Sequence, residues 1–326
     1  MRSWNCPGGT GAKTPAGADV RVLFCGVRGS TPSPGPEFIR YGGHTSCVAI
    51  CHDDAARPVL ILDAGTGLRR ATPLLDGRPF EGTILLTHLH WDHVHGLPFF
   101  RAGDRDDARV TLLLPAQESG ESAAAALARG MSPPHFPIGP EGLRGDWTFG
   151  SLPPGQIKAE GFTVEAREVP HKGGRTYGYR VSDGHSVLTY IPDHCPTVLG
   201  PGPEGLGEYH PAALDLTAGT DLLIHDAFLL AGEVPAEAAF GHAAADYAAG
   251  LGLRAGARRV ALAHHKPDRT DDELDEMARR FAPGGPAAPS GPAAPGEPAA
   301  PRGPAAPGTA GVPETFVAAE GGILGL

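Results

Sequence analysis

Between Leu85 and Phe100 the chain reads LLTHLHWDHVHGLPFF, which places His88, His90, Asp92 and His93 directly behind an apolar, β-rich run. At a strand end alternate residues share a face, so His88 and His90 point the same way. A turn through Asp92 and His93 then swings a second pair of ligands toward a neighbouring position. Packing this many imidazoles and carboxylates at the end of a buried strand is costly unless cations compensate them. The spacing therefore predicts two adjacent sites for divalent metal ions. Imidazole and carboxylate together suit zinc, with manganese or iron feasible, because the affinity order alone does not choose the metal. A solvated histidine-rich turn is the plainer alternative, and the fixed spacing behind a strand argues against it.

The surrounding pattern supplies the scaffold for that loop. From Val20 onward short β-rich runs are punctuated by glycine: Val20 to Val27, Ser46 to His52, Val59 to Gly65 and Gly82 to His88. Helical patterns follow at Glu121 to Arg129, Ala243 to Leu251 and Asp271 to Phe281, the last opening with Thr270 as N-cap. Thr176 to Ile191 holds two alternating runs around an Asp183-Gly184 turn signal, a β-hairpin. Residues 1–19, rich in glycine, read as a disordered tail, and 20–281 as one domain. Residues 282–314 repeat GPAAP-like units that cannot bury enough apolar surface to offset their ordering entropy, so a disordered insertion is expected. Thr315 to Leu326 is apolar again and reads as a strand returning to the domain.

Composition narrows the partners. A net charge of -10 over 326 residues opposes a surface built to neutralise many nucleic-acid phosphates. The five cysteines form no C-x-x-C pair and suggest no disulfide framework, which fits a reducing cytoplasm. Neither a signal peptide nor a membrane-length apolar run is present in the sequence, so no membrane partner is expected.

The His88-x-His90-x-Asp92-His93 pattern resembles the signature of the metallo-β-lactamase superfamily. Cys25 to Gly35, Tyr41 to Cys47 and Leu62 to Arg70 resemble its phosphodiesterase branch, which includes ribonuclease Z and class II cyclic-nucleotide phosphodiesterases. The resemblance implies an α/β four-layer αββα sandwich. It also implies further ligands: His171 completing a first site with His88 and His90, Asp193 bridging, and His264 completing a second site with Asp92 and His93. Asp92 thereby has a catalytic as well as a ligating role. His265 competes with His264, and the resemblance favours His264 as the first histidine after the apolar strand. A water bridging two such ions would act as hydroxide at neutral pH.

The same resemblance singles out Asp226, in LLIHDAFL, and His242, in FGHAAADYA, as a dyad in which the carboxylate orients an imidazolium general acid. The alternative is that His242 caps the helix that follows it. Ala243 stands where the family usually has serine and His44 where it has asparagine; His95, Lys172 and Pro192 also depart from the pattern. His52, His135, His185, His194 and His210 carry no pattern and read as ordinary surface or core residues. Only about twenty residues separate His171 from Asp193, and the hairpin uses nearly all of them, leaving no room for the basic arm with which ribonuclease Z grips transfer RNA. The expected activity is hydrolysis of a small or cyclic phosphodiester. Ribonuclease Z-like RNA processing, lactam or thiolester hydrolysis, and a metal-binding regulator without turnover are the alternatives, and homodimer formation is left open.

Overall fold

The computed structural model describes residues 20–52, 57–285 and 311–326. The N-terminal tail and most of the Pro/Ala/Gly-rich insertion thus lie outside the described residues. Two seven-stranded sheets face each other. The first contains β1 (Val20–Gly26), β2 (Cys47–His52), β3 (Leu60–Leu62), β4 (Glu81–Leu85), β5 (Arg109–Pro115), β6 (Asp146–Leu152) and, from the far end of the chain, β14 (Ile323–Gly325), in the order β14-β1-β2-β3-β4-β5-β6. The second contains β7 (Gly155–Ala159), β8 (Phe162–Glu168), β9 (Tyr177–Ser182), β10 (Val187–Ile191), β11 (Leu222–Asp226), β12 (Arg259–Ala263) and β13 (Glu314–Val317), in the order β13-β12-β11-β10-β9-β8-β7.

Sequence composition explains which strands are central. Leu60, Ile61 and Leu62 of β3 are all fully buried, as are Ile84 and Leu85 of β4. Runs without polar alternation are what a strand covered on both faces requires, and β3 to β6 pair in parallel as such strands do. Each fully buried leucine or isoleucine contributes about 1.5–3 kcal/mol, so these short strands are fixed mainly by burial. Three separate apolar clusters show the layering. One lies between the sheets and joins Val22, Ile50 and Leu60 to Val164, Tyr179 and Ile224. A second covers the outer face of the first sheet with Leu68, Leu75 and α2 (Ala123–Ala128). A third packs α3 (Pro211–Thr217), α5 (Ala245–Ala255) and α6 (Asp271–Phe281) on the second sheet. Three interfaces make four layers, the αββα sandwich expected from sequence.

Helix boundaries shift by a few residues where capping chemistry decides them. Ser122 caps α2 and Thr270 caps α6 in a capping box with Glu273. The last segment, read from sequence as a single returning strand, divides at Gly321 and Gly322 into two: β13 extends the second sheet beside β12 and β14 extends the first beside β1. Gly321 has φ 81°, a left-handed conformation that lets the chain reverse between the sheets. No helix among the described residues is long and apolar enough to cross a membrane.

Candidate metal centre and acid-base pair

Strands β4, β8, β10, β11 and β12 all deliver the chain to the same edge of the sandwich. His88 follows β4, His171 follows β8, Asp193 follows β10, Asp226 ends β11 and His264 follows β12. Open sheets bind ligands beyond the carboxyl ends of their strands, and here two sheets contribute to one such edge. The short helix α1 (Trp91–Val94) turns Asp92 and His93 inward beside His88.

The structure brings together every ligand candidate read from the sequence. His88, His90 and His171 form one group whose ligand atoms lie within 4.8 Å of one another, and Asp92, His93 and His264 form another. Asp193 lies between them: Oδ1 is 3.5 Å from His171 Nε2, and Oδ2 is 3.0 Å from His93 Nε2 and 3.3 Å from His264 Nε2. His265 turns the other way, its Nε2–H donating to the Ala318 carbonyl at 2.9 Å, so it ties β12 to the C-terminal segment.

The ring tautomers are set from behind. His93 Nδ1–H donates to Asp63 Oδ2 at 2.7 Å. The Thr87 hydroxyl donates to the same carboxylate and, having used its proton there, accepts from His88 Nδ1 at 3.0 Å. His171 Nδ1–H donates to the Gly241 carbonyl at 2.8 Å. In its neutral form each of these rings therefore presents Nε2, with its lone pair, to the interior. His88 Nε2, His93 Nε2 and Asp193 Oδ2 are buried without a hydrogen-bond partner. Bare lone pairs and carboxylate oxygens aimed at one another repel unless cations lie between them, so the donor set fits two divalent ions.

Electrostatics point the same way. Burial pushes His88 well toward its neutral, ligating form, whereas against the same burial the Asp92, Asp63 and Asp193 carboxylates raise His93 well above its ordinary value, a demand for positive charge that a cation at its Nε2 would meet. Burial alone would raise Asp193 and Asp92, but the surrounding histidines hold both carboxyls below the usual range. Beside this cluster, His242 Nδ1 lies 3.1 Å from Asp226 Oδ2 and 3.6 Å from Asp193 Oδ1. Burial works against its protonation, yet the Asp226, Asp193 and Asp92 carboxylates outweigh that effect and raise it to about 8. His242 does not cap the following helix, whose N-cap is Ala244. Its ring stacks on Phe228 at 4.2 Å and 16°.

Several participants carry no label in the sequence reading. Asp63 sits inside the quoted Leu62 to Arg70 segment without an assigned role, yet it is fully buried and also accepts from the Tyr190 hydroxyl at 3.0 Å. Its φ of 59° and that of His264, 56°, are left-handed for residues with a Cβ, a strain of order 1–3 kcal/mol that concentrates at functional sites. An aspartate followed by Ala64-Gly65 behind an apolar strand was the available signal. The Ser30 amide donates to Asp92 Oδ2 at 2.7 Å, and a Cβ on Gly29 would come within 2.5 Å of the His264 ring. His44 Nδ1 lies at hydrogen-bond distance, 3.1 Å, from Glu320 Oε2, and His95 stacks on Trp91. His194, read as ordinary, is fully buried and bonded to a second buried histidine, His225.

Residues 59–265 match the β-lactamase superfamily domain. The chain is 27% identical over 283 residues to ribonuclease Z of Salinibacter ruber, covering 73% of this chain and 84% of that protein. Its fold matches a diphosphatase from the PhnP family with a TM-score of 0.58 at 16% identity, covering 94% of this chain and 98% of that one. It also matches Zn(2+)-bound PqqB from Methylobacterium extorquens with a TM-score of 0.57 at 18% identity, covering 94% of this chain and 100% of that one.

Proposed function

Because the chain belongs to the β-lactamase superfamily and is a metal-dependent hydrolase of that fold, we propose that it is a dinuclear zinc phosphodiesterase acting on a small or cyclic phosphodiester. His88, His90 and His171 would hold one ion, Asp92, His93 and His264 the other, and Asp193 would bridge them. Bound there, the ions would supply Lewis-acid activation of a water and of a phosphoryl oxygen. The observation that carries the reading is the Asp226–His242 pair, 3.1 Å apart and directly beside Asp193. With Nδ1 engaged by Asp226, whose carboxylate favours the charged ring, His242 presents its other proton at Nε2. Such an imidazolium can bind a phosphate oxygen and then protonate a departing alkoxide.

A relative named ribonuclease Z and a fold neighbour described as a diphosphatase support phosphate chemistry, and a zinc-bound fold neighbour supports the metal. The ribonuclease Z likeness keeps RNA processing as the second reading. Against it, the segment from His171 to Asp193 is occupied by the β9–β10 hairpin and carries no projecting arm.

The test is zinc-loaded enzyme assayed on bis-p-nitrophenyl phosphate, cyclic nucleotides, precursor transfer RNA, nitrocefin and a thiolester, with His242→Ala alongside. The variant is expected to keep its metal and to lose roughly 10² to 10⁴ in turnover of esters with alkoxide leaving groups, and much less on p-nitrophenyl esters. His242 also lies within ligand distance of the groups containing His171, Asp193 and His264. Equal loss on both substrates with release of metal would make it a ligand and end the general-acid reading.

A further inference from the structure

Behind Asp226 lie two buried histidines that the proposed chemistry does not use. His225 and His194 are both fully buried. Their side chains meet at 3.0 Å, Nδ1 of His194 against Nε2 of His225, and the ring of Tyr247 packs against both, at 5.3 and 5.7 Å. The direction of each hydrogen bond follows from one fixed point. His225 Nδ1 lies 2.8 Å from the main-chain carbonyl of Asp226, and a carbonyl can only accept, so Nδ1 carries the hydrogen. Burial holds His225 toward its neutral form, which makes Nε2 an acceptor. His194 Nδ1 must then donate to it, and His194 Nε2 is left as a buried acceptor without a protein partner.

This chain of bonds runs parallel to a second one. The main-chain N–H of His194, one residue beyond Asp193, donates to Asp226 Oδ2 at 3.1 Å, the same oxygen that His242 Nδ1 engages. The remaining donors to that carboxylate are the Ala243 and Phe228 amides. The loop after β10 and the end of β11 are thus joined twice, once through the backbone and once through two imidazoles. An apolar pair would fill the same volume without the cost of burying two polar rings. What imidazoles add is direction, since their hydrogen bonds fix rotation of the Asp226 peptide in surroundings from which water is excluded.

We propose that His194 and His225 are positioning residues: a buried imidazole brace that sets the Asp226 carboxylate against the Asp193 loop and thereby aims the His242 ring. The kinetic part of this inference rests on the general-acid reading above; the geometric part does not.

The experiment is His225→Phe in the zinc-loaded enzyme, read two ways. In imidazole ¹H–¹⁵N spectra the His242 ring signals should move or broaden while those of His265, on the far side of β12, stay in place. Turnover of an alkoxide-leaving phosphodiester should fall roughly 10-fold, a fraction of the worth of the acid itself, with bis-p-nitrophenyl phosphate changed less than about 3-fold and bound zinc unchanged. In a His242→Ala background the same substitution should add little, because both act through one group. His225→Gln, whose Oε1 can accept the His194 Nδ1 hydrogen, should recover most of the loss and stands in if the phenylalanine variant fails to fold. Unmoved His242 signals, or loss of zinc, would overturn the brace. Moved signals with no leaving-group dependence in His242→Ala would leave the brace standing and remove the general acid.

Discussion

His88, His90, Asp92 and His93 come from one short stretch that runs from the end of β4 through α1, whereas His171, Asp193 and His264 each come from a different strand end of the other sheet. The first set is arranged by local backbone geometry and by what stands behind it, Asp63 and Thr87. The second is arranged by strand order: β8, β10 and β12 all run toward one edge, and their pairing register decides how far each ligand reaches. A local set can be damaged one ligand at a time. A set assembled by register depends on the residue that joins it to its partner, and here that is Asp193, which touches His171 on one side and His93 and His264 on the other.

The largest effect should therefore follow Asp193→Ala. Removing this carboxylate should strip metal from both groups and lower turnover at least roughly 10³-fold, the upper scale for losing one preorganised electrostatic contact. His90→Ala, at the partly exposed rim, should spare the second group. Metal content by mass spectrometry decides it, and an Asp193→Ala protein that retains two ions per chain would break the contrast between the halves.

A smaller effect is expected from behind the local set. Asp63 fixes His93 directly and His88 through Thr87, so Asp63→Asn should weaken metal affinity roughly 10–100-fold, the usual cost of losing such a partner. Competition against a chelator measures this. Wild-type affinity would mean that ring orientation here is held by packing alone.

The smallest effect concerns the neighbouring histidines His264 and His265. Burial, followed by the charges of Arg28, His264 and Arg269, leaves His265 at about 3 despite its bond to Ala318. Unfolded, it would titrate near 6.5. Between those values the unfolded chain binds the extra proton, so the stability contributed by neutral His265 is complete above pH 6.5 and is lost as pH falls toward 3. The full span is on the order of 5 kcal/mol. In metal-free protein His265→Gln should flatten this acid limb in urea melts, and it should leave zinc stoichiometry in the holoenzyme unchanged, whereas His264→Ala should lose metal. An acid limb identical to wild type would show that His265 is not the group responsible.

These contrasts also separate what could be read in advance from what could not. The β4–α1 turn was legible because ligand spacing, strand and turn lie within one short stretch. Resemblance alone favours His264 over His265 in the sequence; in the structure a left-handed backbone at His264 sends the two rings to opposite sides, His264 toward Asp92 and His265 toward Ala318. Asp226 and His242 were readable as candidates, but the Phe228 ring against His242 and the raised proton affinity of that histidine exist only once β11 and the start of α5 meet. His194 and His225 offered no spacing at all, since their meeting requires the parallel pairing of β10 with β11.

Chemistry that depends on neighbours in the chain was settled before folding: apolar β-rich strands, a metal loop at the end of a buried strand, and the capping signal at Thr270. Chemistry that depends on neighbours in space was not. Which nitrogen of each histidine faces inward follows from hydrogen bonds to Asp63, Thr87 and Gly241, contacts between segments that periodicity and spacing treat as unrelated. The C-terminal segment shows the same limit, because an apolar run with a glycine turn announces strand character but not which sheet will accept it. Edge positions beside both β12 and β1 were open, and pairing with the two of them satisfies backbone groups that neither edge could satisfy alone.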